Sequence, residues 1–188
     1  MGDKVFVIGG AGFIGSHFVD SLLYQPYKFT SEIDKVTIYD NFSYGREWHY
    51  EHHLNDERLK VVKGDIEDLS KLENSMAGHN IVIHLAANPD IAKSSKEPSI
   101  DYNLGIALTN NVLEAMRKTG AKRLLFASSG CVYGDLGEII ATENYGPLLP
   151  ISTYGASKVA GEAIIYSYCF MFGITACAFR FGNVVGSR

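Results

Sequence analysis

Short apolar runs and longer helical patterns alternate along the whole chain, and this alternation restricts the fold more than any other feature of the sequence. The apolar runs, predicted to be β-strands, are residues 4–8, 35–39, 59–63, 81–85, 123–127 and 174–179. The predicted helices are residues 13–24, 46–54, 69–76, 100–119 and 152–172. Strands and helices that alternate in this way form a parallel sheet with right-handed crossovers. We therefore predict one α/β domain over residues 1–188: a doubly wound parallel sheet of the Rossmann type with strand order 3-2-1-4-5-6.

A glycine-rich segment, residues 9–15, lies between the first predicted strand and the first predicted helix. Because glycine has no Cβ, such a turn lets the backbone approach a pyrophosphate, which free N–H groups and the helix dipole then hold. Its place between a strand and a helix favours a dinucleotide site over an ordinary turn, which is the alternative. The residues predicted to contact the dinucleotide here are Gly9, Gly12, Phe13, Ile14 and Gly15.

Further predicted cofactor contacts follow the next three strands. Asp40 and Asn41 end the second strand, where a carboxylate accepts hydrogen bonds from both ribose hydroxyls and repels a 2′-phosphate. This favours NAD over NADP, while the nearby Arg46 leaves NADP as the alternative. After the third and fourth strands come residues suited to border the adenine and the cofactor backbone: Asp65, Ile66, Leu85, Ala86 and Ala87.

Two segments carry candidate catalytic side chains. Tyr154 and Lys158 stand four positions apart on a predicted helix, so they share a face. A phenol with its ordinary pKa of about 10 is a poor base at neutral pH, but a nearby cation lowers that pKa. Ser128 and Ser129 follow the fifth strand, at the edge where doubly wound sheets bind ligands. By itself the Tyr-Lys spacing is better explained by a packed tyrosine and a solvated lysine, and either serine could simply cap the end of the strand.

In their order along the chain, these residues resemble the extended short-chain dehydrogenase/reductase family, and within it the NAD-dependent epimerase/dehydratase group that acts on nucleotide sugars. The matching residues span nearly the whole chain: 9–17, 40–41, 64–66, 84–87, 103, 128–129, 132–134, 154–158 and 180–186. The resemblance implies that Tyr154 is the acid/base, that Lys158 lowers its pKa and binds the nicotinamide ribose, and that Ser129 is the catalytic serine. It also implies that Asn103 supports the active site and that Asn183 contacts the sugar nucleotide.

The two residues that follow Ser129 restrict which reaction of the family the resemblance implies. Dehydrating members of the family typically carry Asp-Glu there, and decarboxylating members a Glu, whereas this chain has Gly130 and Cys131. A 4-epimerase needs no further acid, since it oxidises C4 to a ketone, rotates the intermediate and returns hydride to the opposite face. The resemblance therefore favours a UDP-glucose 4-epimerase or a 4-epimerase of a related UDP-hexose. A dehydrogenase or reductase of the same family and a non-catalytic NAD-binding module are the alternatives.

The resemblance also implies parts that lie outside one cofactor domain. Family members continue into a smaller C-terminal domain that grips the nucleotide sugar, whereas this chain ends at Arg188 after the sixth predicted strand. We therefore expect that domain to be missing, and turnover to need it. The predicted helices at residues 100–119 and 152–172 have wide apolar faces and are expected to form a four-helix bundle across a homodimer axis.

Composition argues against several other functions. The net charge of −4 disfavours nucleic-acid and anionic-membrane partners, and no apolar run is long enough to span a bilayer. Three cysteines without C-x-x-C spacing suggest a reduced cytoplasmic protein, with neither a disulfide framework nor a cysteine zinc site. His49, His52 and His53 are close in sequence, but with no further ligand in view we expect an exposed helix and no metal. His84 is expected to be a packed core histidine.

Overall fold

Six parallel strands form one sheet in the order β3-β2-β1-β4-β5-β6, as the sequence predicts. The structure is a computed structural model that describes residues 2–24, 32–88 and 90–188. The strands are β1 (Asp3–Ile8), β2 (Ile33–Asp40), β3 (Leu59–Lys63), β4 (Ile81–His84), β5 (Arg123–Ser129) and β6 (Thr175–Phe181). Every neighbouring pair is parallel. The chain thus reverses its direction of strand addition beside β1, which is the usual ligand position in a doubly wound sheet.

Helices cover both faces of this sheet. They are α1 (Phe13–Tyr24), α2 (Leu69–Met76), α3 (Ile91–Ser94), α4 (Ser99–Asp101), α5 (Leu108–Thr119) and α6 (Thr153–Phe172). Successive side chains of β1 point to opposite faces, so Phe6 joins the core under α2 and α5, whereas Val7 joins the core under α1. Burial on both faces explains why the strands read as continuous apolar runs.

The segment after β2 differs from its prediction. Residues 46–54 do not form an exposed α-helix but two 3₁₀ turns, Glu47–His49 and Glu51–His53. Ala11 O accepts hydrogen bonds from Arg46 N at 3.0 Å and His49 Nδ1 at 2.6 Å, which fixes the segment against the glycine-rich turn. The prediction of an exposed helix is therefore wrong, because a long-range contact buries His49 and His53 to 6% and 4% exposure.

The predicted helix at residues 100–119 is irregular in its first half. A π-helical segment, Tyr102–Ala107, separates α4 from α5 and packs against α6. A Cβ on Gly105 would come within 2.7 Å of Ser157 Oγ, so glycine permits this close packing. Residues 134–152, between the turn after β5 and α6, contain no helix or strand. Within the described parts of the chain, no helix has the length and apolar character needed to cross a membrane.

The first testable prediction concerns the turn between β1 and α1. A Cβ on Gly15 would lie 2.1 Å from Gly9 O and 2.7 Å from Gly10 Cα, both backbone atoms that cannot move independently. We expect Gly15→Ala to lower the free energy of unfolding by about 2–3 kcal/mol, a typical cost of overpacking. The control is Gly182→Ala, whose new Cβ meets nothing within 4 Å. Denaturant unfolding measures both; equal stability of the two variants would contradict the tight-turn interpretation.

Candidate active site

Three adjoining grooves open at the carboxyl ends of the strands. The first is bordered by the ends of β2 and β3, the second by the glycine-rich turn, and the third by β5 and the start of α6. Gly9, Asp40 and Ala86 line both the first and the second groove, while Phe13 and Leu85 line both the second and the third. The grooves therefore form one continuous path from β3 to α6.

The glycine-rich turn forms the floor of the second groove and leaves no room for side chains. Gly9 has a φ of 80°, a left-handed conformation that favours glycine, and a Cβ there would lie 2.9 Å from Ala86 N. Gly12 N donates to Gly9 O at 3.1 Å, which closes the turn ahead of α1. Since α1 begins at Phe13, the positive end of its dipole points into the groove. This is a fitting cradle for a pyrophosphate.

Asp40 has two functions at the junction of the first and second grooves. Its carboxylate accepts hydrogen bonds from Ala11 N at 3.0 Å and Phe42 N at 2.8 Å. Burial raises the pKa of Asp40 above its ordinary value, although these hydrogen bonds oppose that shift. Each carboxylate oxygen keeps a second lone pair, so Asp40 can still accept from ribose hydroxyls. It thus both fixes the turn and forms part of the wall of the groove.

The first groove contains the other residues predicted to border an adenine. Asn41 Nδ2 donates to Asp65 Oδ2 at 2.9 Å, and the Tyr39 hydroxyl donates to the Asp65 carbonyl at 2.7 Å. Ile66 lines the same groove, as does Lys93, a cation that the sequence analysis did not single out. Lys93 lies on α3 and belongs to no motif, so only the fold reveals its place at this groove.

The third groove brings the candidate catalytic side chains together. Lys158 Nζ lies 5.5 Å from the ring centroid of Tyr154, which confirms that the two share a helix face and meet. Lys158 is 4% exposed and donates to Ala127 O at 2.8 Å. Ser129 lines the same groove as Tyr154, and its Oγ accepts from Cys131 N at 3.2 Å. Asn183 lines the same groove from the segment that follows β6.

Burial dominates the protonation equilibria of this groove. Burial raises the pKa of Tyr154 above its ordinary value, and the nearby Cys131 adds to the shift, which the Ser129 hydroxyl only partly offsets. Burial also lowers the pKa of Lys158 to about 8, against the opposing attraction of Asp101. Burial therefore dominates the pKa of the phenol in the chain by itself, and the lowering of that pKa by Lys158 and a bound cofactor stays a prediction.

Buried polar contacts hold the catalytic segments in place. Ser128 donates to the Glu162 carboxylate, which Arg180 also binds through Nε at 3.0 Å and through a second nitrogen at 2.7 Å. A further Arg180 nitrogen donates to the Tyr133 hydroxyl at 3.0 Å. These contacts connect α6, β6 and the turn after Ser129. The Glu162 position, one helical turn after Lys158, is a signal that the sequence analysis did not use.

A second set of polar contacts fixes the beginning of α6. The Asp101 carboxylate is 1% exposed and accepts from Thr153 Oγ1 at 2.7 Å and Asn88 Nδ2 at 3.0 Å. Thr153 directly precedes Tyr154, so Asp101 positions the phenol from the loop side. Ser152 caps the helix, with its Oγ accepting from Gly155 N at 3.0 Å. Sequence spacing does not indicate Asp101, because Asn88 and Thr153 lie in segments far apart along the chain.

All but one of the predicted site residues line these grooves. Asn103 is the exception: it is exposed within the π-helical segment and belongs to none of the three grooves. The structure therefore does not bring Asn103 to the site. His84 lies under the groove and is 1% exposed, which confirms a packed histidine. Its burial, with Lys158 nearby, lowers its pKa to about 3, so it stays neutral.

Comparison with known proteins agrees with this geometry. The model of the "NAD dependent epimerase/dehydratase family" matches residues 5–188. The chain belongs to this family. Because the family is described as NAD dependent, both the resemblance and the predicted cofactor are confirmed.

Individual family members support the same assignment. A UDP-glucose 4-epimerase of Corynebacterium glutamicum is 33% identical over 184 residues, covering 98% of this chain and 52% of that protein. A dTDP-glucose 4,6-dehydratase of Actinoplanes is 34% identical, covering 98% and 58%. The solved Thermus thermophilus UDP-glucose 4-epimerase complex with NAD matches with a TM-score of 0.85 and 32% identity, covering 98% and 57%. The chain thus spans little more than half the length of these relatives.

The second testable prediction concerns the cost of burying Lys158. A shift of its pKa from 10.5 to about 8 corresponds to a loss of about 3 kcal/mol of stability in the folded state. Substitution would remove this loss, but it would also remove the hydrogen bond to Ala127 O, which offsets part of the gain. We expect Lys158→Met to raise the free energy of unfolding at pH 7 by about 1–2 kcal/mol. Because the folded-state pKa is depressed, this cost is full below pH 8. It disappears as pH rises towards 10.5, so the gain should shrink over that interval.

Urea unfolding at pH 7 and at pH 9.5 measures this difference. The matched control is Lys122→Met, since Lys122 also donates to a backbone carbonyl, that of Phe172 at 2.8 Å, but is exposed. That variant should differ from the unmodified protein by less than about 0.5 kcal/mol. A Lys158→Met protein that is less stable at pH 7 would show that burial of the ammonium carries no net cost.

Proposed function

We propose that this chain is the NAD-binding and catalytic domain of a nucleotide-sugar 4-epimerase that acts on UDP-glucose and UDP-galactose or on a related UDP-hexose. The observation that carries the proposal is the convergence of Ser129, Tyr154 and Lys158 at the end of a groove that begins at the glycine-rich turn. In the longer relatives, the remaining length is expected to supply the sugar-nucleotide domain that completes this site.

The cofactor fits the three grooves in one direction. The first groove would hold the adenine beside Asp65 and Ile66, Asp40 would bind the ribose, and the glycine-rich turn would bind the pyrophosphate. Lys158, at the start of the third groove, would donate to the nicotinamide ribose. Bound NAD would supply the acceptor and donor of hydride for a sugar carbon.

The side chains of this chain would manage the proton of the sugar hydroxyl. Tyr154, which lines the third groove with Ser129, would remove the proton from the hydroxyl as C4 is oxidised and return it when C4 is reduced again. Because burial raises the phenol pKa in the chain alone, Tyr154 needs added positive charge before it becomes a base near neutral pH. Ser129 would hold the substrate hydroxyl in line with the phenol.

The residues beside Tyr154 favour epimerisation over elimination of water. Gly130 and Cys131 line the third groove at the positions where dehydrating family members typically carry carboxylic acids. Neither side chain can act as a carboxylic acid or carboxylate base, and none of the described residues that line this groove supplies a carboxyl group beside Tyr154. This argument is independent of overall similarity, since the dehydratase relative is as similar to this chain as the epimerase relative.

The third testable prediction is turnover itself. The full-length protein should interconvert UDP-galactose and UDP-glucose, or the corresponding N-acetylated pair, without net release of NADH. Tyr154→Phe should lower kcat by about 10²–10⁴-fold, because it removes the general acid/base. Tyr24→Phe is the matched control, because Tyr24 is an exposed tyrosine on α1 that lines none of the three grooves. Product analysis by chromatography of the nucleotide sugars measures both variants.

Other outcomes would point to the competing functions. Net formation of NADH during turnover would indicate a dehydrogenase or reductase, and loss of one water from the sugar would indicate a dehydratase. NAD binding with no turnover of any nucleotide hexose would favour a non-catalytic module. Full biological activity of Tyr154→Phe would favour the same alternative.

We propose further that the full-length protein is a cytoplasmic homodimer whose subunits pair through α5 and α6. Tyr166, Phe170 and Met171 on α6 are 75%, 88% and 66% exposed, a wide apolar surface on one helix. Pairing of such a face with its symmetry copy gives an isologous four-helix bundle. All three cysteines are free, which agrees with a reducing compartment.

The fourth testable prediction follows from that surface. Sedimentation of the full-length protein should show a dimer, and Phe170→Glu should convert it to a monomer by placing a charge in the apolar contact. Ile140→Glu is the control, because Ile140 is 91% exposed in the loop before α6 and lies off this face. A monomeric unmodified protein, or a Phe170→Glu dimer of unchanged affinity, would disprove the four-helix bundle.

A further inference from the structure

Away from the grooves, three potential metal ligands converge on one point. Asp20 lies on α1, and His52 and His53 are adjacent in the second 3₁₀ turn. His52 Nε2 and His53 Nε2 lie 2.9 and 2.8 Å from the same atom, Asp20 Oδ1. The three ligand atoms are all within 4.8 Å of one another. Among the residues that the structure describes, no other group of three His, Cys, Asp or Glu side chains meets this condition.

Surrounding side chains hold this cluster in a fixed geometry. His53 is 4% exposed, and its ring centroid lies 4.5 Å from that of Tyr24. Arg188 donates to Asp20 Oδ2, which orients the carboxylate and leaves Oδ1 to face the two imidazoles. Ligands that are already ordered lose little conformational entropy when an ion binds.

The donor set is suited to a transition metal ion. Two imidazole nitrogens and one carboxylate oxygen, with a water molecule as fourth ligand, form a common tetrahedral zinc arrangement. With metal–ligand bonds of about 2.0–2.2 Å, tetrahedral ligand atoms lie about 3.3–3.5 Å apart. The imidazole–carboxylate separations need to grow by only about 0.5 Å to reach this. Each imidazole would then carry its proton on Nδ1 and present the free Nε2 lone pair.

We propose that Asp20, His52 and His53 bind one Zn²⁺ ion per chain and that this ion has a structural role. None of the three ligands lines the three grooves, so the ion would not touch the reacting sugar. It would instead join α1 to the 3₁₀ turns. Because His49 in the first of these turns bonds the Ala11 carbonyl, the ion would strengthen the support of the glycine-rich turn.

The fifth testable prediction is therefore stoichiometric zinc binding. After treatment with a chelator and buffer exchange, the purified full-length protein should take up one Zn²⁺ per chain, measured by calorimetric titration and by elemental analysis. Mg²⁺, which prefers oxygen ligands, should not compete. At about 100 times the dissociation constant, Zn²⁺ should raise Tm by roughly 5–10 °C. None of these readouts depends on catalytic activity, so the result is independent of the proposed reaction.

Three variants locate the site. Loss of a residue that only supports a metal ligand usually weakens metal binding by about 10–100-fold. His52→Gln and Asp20→Asn each remove a direct ligand, so each should weaken zinc binding by more than this and abolish the rise in Tm. His17→Gln is the matched control, since His17 lies one turn earlier on α1 and outside the cluster, and it should bind Zn²⁺ normally. Circular dichroism checks that each variant is folded. No zinc uptake, or uptake that either ligand variant leaves unchanged, would show that the cluster is only a hydrogen-bonded contact and overturn the proposal.

Discussion

The close backbone approach at the glycine-rich turn is the constraint on which the rest of the structure depends. Gly15 at the start of α1 sits so near Gly9 O that even one methyl group would force the two apart. The peptide between them is tied to β2 as well, because Ala11 N donates to Asp40 while Ala11 O accepts from the 3₁₀ segment. One turn therefore fixes the start of α1, the end of β2 and the floor of the groove, and a shift in any of these would move the other two.

Burial, rather than charge pairing, governs the electrostatics at the other end of the groove. Lys158 contacts a backbone carbonyl and aromatic faces instead of a carboxylate, so it keeps an unfavourable desolvation cost. Tyr154 loses water as well, and its proton is held more tightly than in solution. In the chain by itself the phenol of Tyr154 is therefore protonated, and the ammonium of Lys158 loses its proton more readily than in solution. Under the proposed function, positive charge arriving with a ligand would favour the phenolate of Tyr154, which would link proton transfer to cofactor occupancy.

Local patterns were sufficient to predict the strands, their order and nearly the whole groove, because parallel strands end at one edge and their following residues must meet there. They failed where a distant partner decides the structure. Residues 46–54 have a helical pattern, yet they form 3₁₀ turns in which Arg46 and His49 donate hydrogen bonds to the Ala11 carbonyl. Asn103 has a suitable sequence position, but the π-helical segment turns it to solvent. Asp20 could not be predicted as a partner of His52 and His53, because a long stretch of the chain separates it from them.

The likeness of this chain to both epimerases and dehydratases has a physical explanation. The two reactions share the oxidation of a sugar carbon, so they need the same turn, the same carboxylate after β2 and the same phenol. They diverge only in what happens to the keto sugar, and that step depends on the side chains that face it. In this chain the two residues that follow Ser129 along the wall of the third groove are Gly130 and Cys131, and we propose that they face the sugar. A comparison of whole folds averages over the domain and is insensitive to two side chains. The choice between epimerisation and loss of water therefore depends on the residues that line the third groove.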